Sequence, residues 1–241
     1  MLLDIGGKPL IVRTMEQVAQ ATTVGRVIVA ADDQRICDAV IQAGGEAVMT
    51  SLEHHSGSDR IAEVAAALPA QTVVVNVQGD EPVISPNTIN QAVRALIDDP
   101  DAHIATTCEP ITGLRELLNG NNVKVVVGDR GYAIYFSRSP MPWPREASLR
   151  YGGDPNQAIE EEPGLLANFR KHTGLYVYRR EYLLEFSRTP QTRLEQFEML
   201  EQLRALDNGA RIRVVDVNES SIGVDTIEDL EQVRSLIERN G

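Results

Sequence analysis

Along the chain, short apolar runs rich in valine and isoleucine alternate with longer stretches whose apolar positions recur every three or four residues. Arg26-Val27-Ile28-Val29-Ala30 reads as a strand, residues 34–43 as a helix closed by Gly44-Gly45, and Glu46-Ala47-Val48-Met49 as a short strand. Residues 58–68 read as a helix that stops before Pro69. The run 72–78 reads as a buried strand, delivering Gln78-Gly79-Asp80-Glu81-Pro82 at its carboxyl end. A helix follows Ser85-Pro86, because proline suits a first helical position where its missing N–H costs nothing. This βα alternation predicts a mostly parallel sheet covered by helices.

The middle of the chain changes character. His103 to Glu109, Val123 to Val127 and Tyr132 to Ser137 read as strands at short separation. The prolines, glycines and acidic run Glu160-Glu161-Glu162 of residues 138–170 predict a loop-rich excursion, with the acids as a solvated face. Strand character returns at Gly174 to Tyr178. Residues 194–207 predict one amphipathic helix with Leu194, Phe197, Leu200, Leu203 and Leu206 on its apolar face, ended by Asn208-Gly209. Arg211 to Val217 reads as a strand, and Thr226 to Glu238 as a last helix opened by a capping box of Thr226 and Asp229. No internal repeat or linker divides the pattern, so residues 1–241 are expected to form a single domain with an excursion around 138–178.

Composition narrows the classes. A chain of 241 residues, 42% hydrophobic and 24% charged, can bury a substantial core. The net charge of −12 argues against a nucleic-acid surface, yet leaves room for a nucleotide whose phosphates a metal neutralises. With no apolar run of spanning length and no secretory leader pattern, membrane insertion is not expected and a cytoplasmic location is. Cys37 and Cys108 stand far apart outside any metal-ligand spacing, which predicts reduced, buried thiols.

The candidate chemistry sits where strands hand over to helices. Asp80 is either a turn carboxylate or a ligand at the sheet edge where open α/β folds bind their substrates. Asp225, between a strand region and a capped helix, either balances a helix dipole or joins Asp80 on a hard cation. Magnesium suits such a pair, since it takes one or two carboxylates together with substrate phosphates. Ser56-Gly57-Ser58-Asp59-Arg60 leads into a helix; Ser58 or Asp59 serves as its N-cap, or the small residues let backbone N–H groups approach a base or phosphate beside the Arg60 fork. Arg138 and His172 each lie beside a tyrosine-bearing strand, where a guanidinium and donors could meet a sugar acid; His172 equally fits a structural histidine.

Five segments, His55-Ser56-Gly57-Ser58-Asp59-Arg60, Val77-Gln78-Gly79-Asp80-Glu81-Pro82, Tyr135-Phe136-Ser137-Arg138, Leu200-Glu201-Gln202-Leu203-Arg204 and Gly223-Val224-Asp225-Thr226-Ile227-Glu228-Asp229-Leu230, closely resemble the 3-deoxy-manno-octulosonate cytidylyltransferases, or CMP-Kdo synthetases, over nearly the whole chain. The resemblance implies a three-layer, Rossmann-like nucleotidyltransferase α/β fold. It implies an enzyme that couples CTP to the sugar acid Kdo for lipopolysaccharide assembly, releasing pyrophosphate, and that works as a homodimer. Asp80 and Asp225 then look like the magnesium ligands and catalytic acids. Ser56, Gly57, Arg60, Gln78 and Gly79 look like the cytidine side, and Arg138, His172, Tyr176, Glu201 and Gln202 like the sugar-acid side.

The family opens with a buried strand and a loop whose arginine and lysine hold the triphosphate, whereas Met1-Leu2-Leu3-Asp4-Ile5-Gly6-Gly7-Lys8-Pro9-Leu10 resembles the segment after that loop. The expectation is an N-terminally truncated version lacking the first strand, with Lys8 starting a helix over Pro9 to Ala19. Transfer to another acidic sugar, or a non-catalytic remnant unable to hold the triphosphate, are the alternatives.

Overall fold

The computed structural model of the chain describes residues 1–54, 56–219, 221–224 and 226–240. In chain order, β1 (Asp4–Ile5), β2 (Lys8–Pro9), α1 (Leu10–Ala19), β3 (Ile28–Ala31), α2 (Gln34–Gln42), β4 (Glu46–Met49), α3 (Gly57–Ala66), β5 (Val73–Asn76) and α4 (Pro86–Ile97) come first. Then follow β6 (Ile104–Pro110), α5 (Leu114–Leu118), β7 (Lys124–Val127), β8 (Ala133–Ser137), α6 (Arg145–Arg150), α7 (Pro155–Glu161) and a 3-10 helix (Pro163–Asn168). The chain closes with β9 (Arg170–Arg179), α8 (Arg180–Phe186), α9 (Arg193–Glu198), α10 (Gln202–Asp207), β10 (Ile212–Asp216) and α11 (Ile227–Asn240). These elements form two compact units, the first from residues 1–98, 175–188 and 219–241, the second from 99–174 and 189–218.

In the first unit β3 and β4 run parallel, while β5 pairs antiparallel with the Tyr176–Arg179 half of β9. The helices start where their caps dictate. Asp33 accepts from the amide of Arg35 at α2, and Ser85 caps α4 with Pro86 in the first turn. At α11 the Thr226 amide donates to Asp229 and the Asp229 amide back to Thr226 Oγ1, a capping box with aspartate in the glutamate position. Two apolar clusters result: Ile5, Leu10, Leu230 and Val233, and Ile11, Val12, Val29 and Val40.

The Val73 to Val77 run forms its strand but is not buried as its composition predicts. Val73, Val74 and Val75 are only half-buried, and Asn76 is the buried member of β5. The physical reason is on the strand's open side. Among the described residues β5 pairs with β9 alone and β3 with β4 alone, and both border a cavity of about 680 Å³. Val18 of α1, Val64 of α3 and Val93 of α4 help line it.

In the second unit the strand order is β10-β6-β9-β7-β8, with β10 parallel to β6 and β7 antiparallel to β8. β6, flanked on both sides, is buried from Ile104 to Glu109. Within the 138–170 stretch expected to be loop-rich, the chain winds into α6, α7 and the 3-10 helix. Asp154 caps α7 with Pro155 behind it, and Ile159 packs with Ile111, Leu117 and Phe169. The acidic run is solvated at Glu160 and Glu161, whereas Glu162 is half-buried and holds Arg150 at 2.8 Å.

The single helix expected over 194–207 is two. Met199, at φ 55° and ψ 49°, adopts the left-handed conformation that ends α9. The break turns the intended apolar face apart: Leu200 and Leu203 are buried, but Phe197 is 88% exposed and Leu194 44%. The buried ion pair between Arg204 and Glu195, at 2.8 Å, fastens α10 back onto α9.

Candidate active site

The first unit gathers part of the expected site at strand ends. Ser56 is the N-cap of α3, accepting from the Asp59 amide at 3.1 Å; the cap therefore falls at Ser56 and not at Ser58 or Asp59 as the sequence suggests. Serine at this position leaves Gly57 as the first helical residue and turns Arg60 back over the sheet. Arg60 donates from Nη2 to Asp32 Oδ2 at 2.6 Å and from Nη1 to Thr50 Oγ1 at 2.7 Å. Asp32 and Thr50 each directly follow a strand, β3 and β4, so the guanidinium is fixed across two strand ends.

Just beyond β5, Gly79 lies against the ends of two flexible side chains. A side chain at this position would place its first carbon 2.9 Å from Met1 Sδ and 3.0 Å from Ile11 Cδ1. Its carbonyl accepts from Thr14 Oγ1 at 2.8 Å. Asp80 comes next and is half-buried; its carbonyl accepts from the Val224 amide at 2.9 Å. Gly57, Arg60, Gln78 and Gly79 open on the same 680 Å³ cavity, giving its apolar bulk a polar edge. Tyr176 lies opposite Asn76 in the β5–β9 register and stacks on Tyr178 at 5.8 Å. Asp225 lies outside the described residues.

The second unit holds Arg138, His172, Glu201 and Gln202, arranged around β8. Arg138 directly follows that strand. Its Nε donates to the Glu198 carbonyl at 2.8 Å, Nη1 to the Gly120 carbonyl at 3.0 Å and Nη2 to the Met199 carbonyl at 3.4 Å. The Glu198 carboxylate in turn accepts from Ser137 Oγ at 2.6 Å and from the Arg138 amide at 3.0 Å. Glu201 and Gln202 open α10, which packs on β8; Glu201 is half-buried and Gln202 buried.

His172 sits edge-on to Phe136 of β8 at 5.2 Å, and its Nε2 shares a 2.8 Å hydrogen bond with Thr106 Oγ1. Burial pushes the imidazole down to about 3, so it is neutral at ordinary pH. A neutral ring can donate or accept one hydrogen bond at each nitrogen but offers no charge to an acidic ligand.

Several residues that shape these groups were not singled out by sequence: Asp32 and Thr50 behind Arg60, and Glu198 and Lys124 behind Arg138. Lys124 alone carried a signal, as a cation inside an otherwise apolar strand run.

Strand ends from two sheets of the first unit thus carry a fixed guanidinium, a glycine and an acid, the kind of edge at which α/β folds bind ligands. The family model for cytidylyltransferases matches residues 1–212, and the chain belongs to that family. Within it, the chain is similar to 3-deoxy-manno-octulosonate cytidylyltransferases. That of Trichlorobacter lovleyi is 48% identical over 99% of this chain and 92% of its own length. That of Pelobacter propionicus is 49% identical over 97% and 89%.

Among solved structures, CMP:2-keto-3-deoxy-manno-octonic acid synthetase complexed with CTP is 40% identical and superposes with a TM-score of 0.87. The match covers 100% of this chain and 92% of that one. The 4-diphosphocytidyl-2C-methyl-D-erythritol synthase of Anaerococcus prevotii, 14% identical with a TM-score of 0.58 over 98% of this chain and 92% of its own, shares the fold alone. The chain is thus a mixed α/β nucleotidyltransferase.

Proposed function

We propose that the chain transfers the cytidylyl group of CTP to the sugar acid 3-deoxy-manno-octulosonate, releasing pyrophosphate, and that CMP-Kdo is its product for lipopolysaccharide assembly. The observation that carries this reading is the shared edge of Gly57, Arg60, Gln78 and Gly79 on one cavity, with Asp80 next in the chain, in a protein 40% identical to a CTP-bound synthetase. In the reaction the anomeric hydroxyl oxygen of the sugar bonds to the α-phosphorus of CTP. The bond from that phosphorus to the bridging oxygen breaks, and the hydroxyl proton is lost.

In this reading the first unit takes the nucleotide. Ser56 and Gly57 set the start of α3, Arg60 offers its fixed fork, and Gln78 and Gly79 bring backbone and amide groups to the cytidine. Arg138, His172, Glu201 and Gln202, all of the second unit, serve the sugar acid. After three carbonyl bonds, Arg138 retains two N–H donors for a carboxylate.

The donor chemistry at Asp80 fits magnesium. Among the described residues no cluster of three or more His, Cys, Asp or Glu side chains gathers to cage a metal. A hard cation that completes its shell with substrate phosphates needs only one or two carboxylates. Asp80 and Asp225 would hold it, and Val224, the residue before Asp225, is bonded to Asp80 through the backbone. Magnesium, when bound, supplies neutralisation of the phosphate charge.

By the same reading the protein is a cytoplasmic homodimer. Among the described residues no helix is long and apolar enough to cross a membrane. The exposed Ile134, Phe197 and Met199 of the second unit are candidates for a covered face.

The deciding experiment is pyrophosphate release with CTP, magnesium and either Kdo or another acidic sugar. Turnover with Kdo exceeding the other acids supports the reading. Turnover with none, or a preference for a different acid, rejects it. Light scattering that gives a monomer mass rejects the dimer.

A further inference from the structure

Lys124 is among the largest fully buried side chains of the described residues, a lysine at 0% exposure. A buried ammonium persists only where its donors find acceptors. It donates to the Asn119 carbonyl at 3.0 Å and to the Asn122 carbonyl at 2.5 Å. Both carbonyls belong to the turn that joins α5 to β7. The same turn is tightened by the Asn122 amide on the Asn119 carbonyl at 3.1 Å, by the Asn121 amide on Asn119 Oδ1 at 2.9 Å, and by Asn122 Nδ2 on the Glu116 carbonyl at 3.0 Å. Desolvation of a lysine disfavours its charge, as it does here, with Arg138 nearby adding repulsion and Glu198 opposing it.

What the turn holds out is the Gly120 carbonyl, and that carbonyl receives Nη1 of Arg138. On the other side the end of α9 grips the same guanidinium through the Glu198 and Met199 carbonyls. The fork is therefore clamped between two backbone segments, one set by the left-handed turn at Met199 and the other by Lys124. A planar fork recognises a carboxylate only when its orientation is held to within about 10–20°.

We propose that Lys124 is a positioning residue for the acidic sugar: it sets the Asn119–Asn122 turn so that Gly120 aims Arg138 at the sugar carboxylate. This deepens the functional reading above and rests on Arg138 as the contact to the sugar acid. Lys124 itself, sealed from solvent, touches no substrate.

The test is steady-state pyrophosphate release by the full chain, with CTP and Kdo varied separately, on Lys124→Met, Arg138→Lys and the double variant. Lys124→Met keeps the length and apolar stem but removes the donors. We expect it to raise KM for Kdo about tenfold to a hundredfold, with KM for CTP within about twofold. The double variant should be no worse than Arg138→Lys, the signature of two residues acting through one contact. An unchanged KM for Kdo in Lys124→Met, or equal loss toward both substrates, overturns the proposal. If Arg138→Lys leaves KM for Kdo unchanged, it is the assignment of Arg138 that fails, and the proposal falls with it by a distinguishable route. Should Lys124→Met not fold, Asn122→Ala loosens the same turn from the opposite side: a selective rise in KM for Kdo supports the proposal, and its absence overturns it.

Discussion

β5 and β6 make an instructive pair. Both are short strands of small and β-branched residues, Val73-Val74-Val75-Asn76 in the first unit and Ile104-Ala105-Thr106-Thr107-Cys108-Glu109 in the second. The more hydrophobic of the two is the less buried. β6 has β10 on one side and β9 on the other, and even its threonines and Glu109 are out of solvent. β5 has a neighbour on one side and a cavity on the other, and its valines stay half-buried. Burial is thus conferred by neighbours as much as by side-chain character. The polar residues of β6 survive burial because they find partners: Thr106 has His172, Thr107 has Thr173, and Glu109 has Lys171 at 2.6 Å.

The contrast can be broken first at its chemistry. If the first unit's strand ends carry the phosphoryl transfer, Asp80→Asn should lower kcat by about 100-fold or more while circular dichroism stays unchanged. Retained activity would remove the first unit's claim to the chemistry. Next in size is the second unit's buried ion pair. Arg204→Ala leaves Glu195 charged and buried, and should cost about 3–5 kcal/mol in a urea titration. A loss below about 1 kcal/mol would show that the pair is not the clasp between α9 and α10.

The strands themselves can be weighed directly. Ile104→Ala, in a fully packed site, should cost about 2–5 kcal/mol. Val75→Ala, beside the cavity, should cost less than about 1 kcal/mol, because the valine is only half out of water. Equal penalties would contradict the open edge, and hydrogen exchange gives a second reading through slower β6 amides than β5 amides.

A smaller effect separates the units by pH. Below about pH 6.5 the unfolded chain protonates His172, while the folded protein does so only near 3. The folded pKa is depressed, so the stability held above about 6.5 is lost as pH falls toward about 3, at no more than about 1.4 kcal/mol per pH unit. His172→Asn should flatten that slope in urea midpoints taken at about pH 7 and about pH 5; an unaltered slope would place the titration elsewhere. Smallest of all, Ser56→Ala should cost about 1 kcal/mol through the lost cap of α3, measurable as a shift in melting temperature.

Periodicity made most of this architecture legible. The strands at β3, β4, β7, β8 and β10 and the helices α1 to α4 and α11 stand within a few residues of where apolar spacing and caps put them, since each is decided locally. The misses have particular causes. The helix pattern over 194–207 is faultless until Met199 turns left-handed, and nothing in methionine foretells that conformation. α7 opens at Asp154-Pro155, an N-cap followed by a first-turn proline, a signal that reading 138–170 as loop-rich did not use. Gly57, Arg60, Gln78 and Gly79 were named from a loop entering a helix and from the family resemblance, and the cavity they border was not legible. The partners that hold them, Asp32, Thr50 and Glu198, come from distant parts of the chain. Tertiary placement alone reveals such partners.

The first unit joins segments that stand far apart in the sequence. Arg234 of α11 donates to the carbonyl of Asp4, 230 positions away, and Ile5 and Leu10 share a cluster with Leu230 and Val233. During synthesis at roughly 5–20 residues per second, the nascent amino-terminal segment therefore waits for roughly 10–50 seconds before its last partners are translated. For that interval its apolar side chains are the ribosome's and the chaperones' concern. A stalled or early-terminated message would release a product with that cluster permanently unfilled.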